Sequence, residues 1–193
     1  MRCSANNIFM TKRIFVSIPL PEEWRNAFAD YCRRFPRNDV RWTAKENIHI
    51  TACFLGDVQE ERIGEIREKV QELCARTTPF TLSFEKIDFA PPDMPPRMVW
   101  VVFKESDVYA RLVEEMRDAL GSFFAVEPHK ELIPHATLVR FKDPSLARSI
   151  DITQALPDLG SFDVRSVELM ESRLDPAGVR YEKLETFPLN EHA

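Results

Sequence analysis

Two short motifs carry side chains able to do chemistry: His49-x-Thr51 in "NIHITACFLG" and His135-x-Thr137 in "IPHATLVRF". In an extended chain, residues two apart point to the same face. Each histidine therefore shares a face with its threonine, and Cys53 is expected on the face of His49. With four histidines and nine threonines in the chain, chance supplies about 0.2 His-x-Thr motifs. Two imidazoles with unperturbed pKa values near 6.5 can serve as one base and one acid at neutral pH. Two hydroxyls beside them can donate to the non-bridging oxygens of a phosphate.

That set suits attack of water on a strained phosphodiester, one histidine taking the proton of water and the other protonating the departing ribose oxygen. A zinc site finds little support, because HxH, HxxxH and HExxH spacings are all missing and Cys53 is the only added ligand type near a motif. No GxGxxG, GxxxxGK[ST] or GxSxG occurs either, which argues against dinucleotide, P-loop and serine-hydrolase chemistry. His129 in "VEPHK" and His192 in the tail read as surface residues.

Each motif sits in a segment that reads as a strand, and the order strand, helix, histidine strand occurs twice. "RIFVSIPL" (13–20) is followed by a helical stripe of Trp24, Ala27, Phe28, Tyr31 and Cys32, then by the first motif. "MVWVVF" (98–103) is followed by Val108, Leu112, Met116, Leu120 and Phe123 at helical spacing, then by the second motif. His135 lies 86 residues after His49, and the same shift carries Phe15 to Val101, so the spacing predicts an internal duplication. Between the repeats stand a helix over 60–76, an alternating strand from Phe80 and the proline-rich loop "APPDMPPR". The tail predicts a closing hairpin turning at Asp175-Pro176-Ala177-Gly178.

The expected fold class is α+β: a bilobal, duplicated architecture of two antiparallel sheets facing a central cleft, with helices on the outside. The domain is expected over 12–190, with 1–11 as a disordered extension. At 193 residues, 44% apolar and 30% charged, the composition is that of a soluble globular chain. No apolar stretch near the start suits a signal peptide or a membrane span, so a cytoplasmic setting with no membrane association is expected. Cys3, Cys32, Cys53 and Cys74 form no CxxC pair and read as reduced, buried thiols. A net charge of −5 argues against a general nucleic-acid coat but not against recognition of one phosphate. Arg33, Arg34, Arg37, Arg41 and Lys45 form a local basic cluster that reads as a solvated surface.

On "RIFVSIPLP", "NIHITACFLG", "IPHATLVRF" and "ESRLDPAGVRYEKLETFPL", spanning Arg13 to Leu189, the chain resembles the two-histidine phosphoesterase superfamily, specifically its RNA 2′,3′-cyclic phosphodiesterase branch, also called 2′-5′ RNA ligase-like. The resemblance implies an enzyme that opens 2′,3′-cyclic phosphates at RNA 3′ ends to 2′-phosphates, without metal or other cofactor; a monomer is expected. In some members the reverse joining through a 2′-5′ linkage occurs. It also implies a cleft lined by His49, Thr51, His135 and Thr137, with His49 as proton donor and His135 as acceptor. Arg140 matches the arginine that follows the family's second motif and would hold the phosphate. Five residues from His135, it would face away on an undistorted strand, so a bulge or a strand end is required.

The chain departs from the family at Ala52 and Cys53, where a long apolar residue and often a lysine follow the first threonine. Phe15, Trp42 and Tyr181 are candidates to stack on a terminal base, with core packing as the competing reading. A phosphodiesterase acting on a small cyclic nucleotide or nucleotide-derived cyclic phosphate and a non-catalytic RNA-end binding module are the rival functions.

Overall fold

The computed structural model describes residues 10–35, 40–92, 94–123, 132–152, 159–175 and 178–192. Strand β1 (Thr11–Pro19) buries Ile14, Val16 and Ile18 on one face. It begins inside the extension expected for 1–11, of which 1–9 fall outside the described residues. Helix α1 (Glu22–Arg33) follows Pro21 with Glu22 and Glu23 in its first turn, where the helix dipole favours acidic groups, and buries Trp24, Phe28, Tyr31 and Cys32. Strand β2 (Val40–Trp42) is too short to show a period in the sequence. The first motif opens β3 (His49–Gln59).

Helix α2 covers Ile63–Cys74, and Glu60–Arg62 form a 3₁₀ turn that buries no side chain, so the helix starts at the first apolar residue of its stripe rather than at Glu60. Then come β4 (Phe80–Ala90), β5 (Met98–Phe103), α3 (Asp107–Leu120) and β6 (His135–Phe141), which opens with the second motif. The Ser106 hydroxyl caps α3 by accepting from the Tyr109 amide at 3.3 Å. Strands β7 (Ser161–Val164), β8 (Ser166–Asp175) and β9 (Gly178–Pro188) complete the chain. The expected hairpin is β8–β9; its turn residues Pro176 and Ala177 lie outside the described residues.

All strand pairings are antiparallel, and the order is β7-β4-β5-β6-β3-β1-β8-β9, with β2 alongside β6. The path divides into two halves, β3-β1-β8-β9 and β6-β5-β4-β7, which form the expected bilobal α+β fold. They meet at one register position, Ile50 opposite Ala136. The two histidine strands thus lie side by side at the centre and diverge from there, instead of facing one another across an open gap.

The duplication carries an exchange that the sequence does not show. A strand downstream of each histidine strand, β4 in the first repeat and β8 in the second, pairs with the leading strand of the other repeat. Helices are exchanged as well. Trp24 of α1 packs against Phe103 of β5 and Phe162 of β7, whereas α3 lies against β3 and α2. Pairing register also corrects the alignment of the repeats: Ser17 faces Thr51 and Trp100 faces Thr137. Ile18, not Phe15, is therefore the counterpart of Val101, because the second repeat spaces its two strands three residues further apart.

Candidate active site

The one paired register position between β3 and β6 also assembles the site. Ile50 and Ala136 are both fully buried and point into the core. Side chains alternate along a strand, so the residues flanking this pair, His49, Thr51, His135 and Thr137, all emerge on the opposite face. Antiparallel counting sets His49 beside Thr137 and Thr51 beside His135. All four line one pocket, open to solvent, together with Thr43, Asn47, Arg140 and Tyr181.

Both strands slip register immediately after their motifs. On β6, Val99 pairs with Val139 and Trp100 with Thr137, leaving Leu138 as an inserted residue. Leu138 and Val139 are both buried, and the alternation restarts one residue late. This bulge returns Arg140 to the face of His135, which meets the requirement set by the sequence, and Arg140 lines the pocket. On β3 the corresponding slip falls at Ala52. The same shift of parity turns Cys53 into the core, so it does not share the face of His49 as strict alternation predicts.

Both imidazoles are held in the same way. His49 Nδ1–H donates to the Asn47 carbonyl at 2.7 Å, and His135 Nδ1–H to the Ile133 carbonyl at 2.9 Å, each two residues upstream. A carbonyl can only accept, so in the neutral ring the proton resides on Nδ1 and the lone pair on Nε2. In neutral His49, Nε2 accepts from the Thr51 hydroxyl at 3.0 Å. Burial drives the pKa of His49 down to about 4; the Asn47 carbonyl opposes this shift, while Arg140 and His135 add to it.

Aromatic rings back both histidines. Phe15 stacks on His49 at 5.0 Å, Tyr181 meets His49 edge-on at 5.2 Å, and Trp100 stacks on His135 at 3.7 Å. Of the three aromatic candidates from the sequence, Tyr181 lines the pocket, Phe15 lies beneath His49, and Trp42 stacks on Phe35 against the core. Sequence reasoning missed Thr43, Asn47 and Trp100. Asn47 both orients His49 through its carbonyl and donates from Nδ2 to the Val179 carbonyl of β9 at 2.8 Å. Its place two residues before the motif histidine was the available signal; nothing in the local sequence marks Thr43.

Among the described residues, no group of three His, Cys, Asp or Glu side chains comes together as a metal site. Cys32, Cys53 and Cys74 are free and buried, and burial pushes each thiol up to about 12. Cys3 and His129 lie outside the described residues, and His192 is exposed. No helix among the described residues is long and apolar enough to cross a membrane.

A family profile described as "LigT like Phosphoesterase" matches residues 18–100. An RNA 2′,3′-cyclic phosphodiesterase of Archaeoglobus fulgidus is 30% identical over 180 residues, covering 91% of this chain and 99% of the relative. The chain belongs to the LigT-like phosphoesterase family. This phosphoesterase is also 28% identical to an RNA 2′,3′-cyclic phosphodiesterase of Methanothermobacter thermautotrophicus, over 93% of its own length and all of the relative. A crystal structure of a Thermus thermophilus protein superimposes with a TM-score of 0.76 at 27% identity, covering 93% of this chain and 100% of that one. E. coli LigT in its apo form gives a TM-score of 0.74 at 25% identity, covering 94% and 99%. Family membership bears out the two-histidine resemblance and makes the phosphoesterase an enzyme rather than a binding module.

Proposed function

We propose that this phosphoesterase hydrolyses RNA ends bearing a 2′,3′-cyclic phosphate to 2′-phosphates by metal-independent general acid–base catalysis. The observation that carries this reading is the arrangement of two His-x-Thr pairs around Ile50 and Ala136, with Arg140 brought to the same pocket. One histidine Nε2 removes a proton from water as the water oxygen bonds to phosphorus. The P–O3′ bond breaks and the other histidine gives its proton to O3′, leaving phosphorus on O2′. Thr51, Thr137 and Arg140 donate to the non-bridging oxygens, where negative charge grows. A 5′-hydroxyl taking the place of water would join two RNA ends through a 2′-5′ linkage by the same proton movements.

In the family order His49 is the donor. A histidine held neutral in the free protein fills that role by taking up a proton when the anionic phosphate enters, since an adjacent negative charge favours the imidazolium.

The test is turnover of a short RNA ending in a 2′,3′-cyclic phosphate, run with EDTA, with 2′- and 3′-phosphate products resolved. Wild type is expected to yield the 2′-phosphate, and His49→Ala and His135→Ala to lose about 10²- to 10⁴-fold in rate. Mutant rates equal to wild type, or turnover abolished by EDTA, overturn the reading.

A further inference from the structure

Arg41 on β2 stands directly opposite Arg140 on β6. Cross-strand partners share a face and hold their Cβ atoms within about 5.5 Å, a spacing at which like charges repel. Among the described residues no carboxylate pairs with either guanidinium: Arg41 makes no hydrogen bond or ion pair there, and the hydrogen bond of Arg140 goes to the Met98 sulfur at 3.1 Å. Arg33, Arg62, Arg67, Arg76, Arg165 and Arg173 each hold a carboxylate. Arg13, Arg25, Arg97, Arg111 and Arg180 hold none among the described residues either, so it is the placement of Arg41 opposite Arg140, which lines the pocket, and not the missing carboxylate alone, that sets the pair apart. Two uncompensated arginines fixed on paired backbone in an acid-rich protein form a site for an anion.

The position of the pair says which anion. Thr43 continues the ladder of β2, its amide donating to the Leu138 carbonyl at 2.9 Å, and it lines the pocket along with Arg140. Arg41, two residues earlier on the same face, lies about 7 Å further out along the strand. We propose that Arg41, beside Arg140, binds the internucleotide phosphate that precedes the terminal nucleotide, so that the site prefers an RNA chain to a mononucleoside cyclic phosphate. This rests on the reading of the pocket as a cyclic-phosphate site.

The experiment compares kcat/KM for a trinucleotide ending in a 2′,3′-cyclic phosphate with kcat/KM for the matching nucleoside 2′,3′-cyclic phosphate, in wild type, Arg41→Ala and Arg41→Lys. Arg41→Ala is expected to lower the trinucleotide-to-mononucleoside ratio about tenfold, and Arg41→Lys to retain part of it. The salt dependence of trinucleotide KM should flatten by about 0.7 in log–log slope, the value for one phosphate contact on a single strand. An unchanged ratio, or an equal fall on both substrates, overturns the proposal. A melting temperature of Arg41→Ala at or above wild type separates the effect from misfolding. If wild type turns over neither substrate, the cyclic-phosphate reading fails. The subsite is then decided by equilibrium binding of the trinucleotide with a terminal 2′-phosphate against the nucleoside 2′-phosphate, where the same tenfold change in ratio supports it and an unchanged ratio rejects it.

Discussion

At His49 the structure trades acid stability for a neutral imidazole. Unfolded, the ring titrates near 6.5; folded, burial holds it at about 4. Between those values the unfolded chain binds the extra proton, so stability rises with pH across this window and is lost as pH falls through it. Urea unfolding from pH 7 to pH 4 should show this loss in wild type and a shallower one in His49→Gln, which has no titrating ring. The same residue predicts a binding signature. Calorimetry of inorganic phosphate near pH 7 in buffers of different ionisation enthalpy should report net proton uptake, because the anion raises a depressed imidazole toward its ordinary value. Uptake that persists in His49→Gln would assign the proton elsewhere.

Among the elements, the histidine strands show where pattern reading succeeds and where it stops. The identity of the four motif residues and their strand setting were legible, because alternation and pairing need no long-range information. The bulges at Ala52 and Leu138 were not, since an inserted residue changes parity without altering composition. They reversed the expectation for Cys53 and met the condition set for Arg140. Strand β2, which carries Arg41, is too short to announce itself. A second slip on β3 is marked by Gly56 at φ +79°, where a side chain is strained. Gly56→Ala should lower stability by roughly 1–2 kcal/mol in urea unfolding. Its kcat/KM should stay near wild type, because Gly56 lies outside the pocket.

Across the whole molecule, the aromatic contacts of Trp24 tie the first repeat to β5 and β7 of the second. Trp24→Ala removes a buried indole at that junction and should cost about 3–5 kcal/mol, with fluorescence and circular dichroism melting together if the halves form one cooperative unit. The repeat was visible in the sequence as two motifs and two leading strands. The exchange of β4 and β8 was invisible, because hydrophobic pattern reports that a face is buried and says nothing of which chain segment buries it.

That exchange gives the duplicated chain a property of an intertwined dimer compressed into one polypeptide. Cutting the proline-rich connection between β4 and β5 would leave two fragments, each with one histidine motif and each missing the strand that flanks its leading strand. Neither can close its own sheet or complete a two-histidine pocket, yet together they hold every pairing of the intact protein. Reassembly would therefore restore the fold and bring the two His-x-Thr motifs into one pocket in the same step.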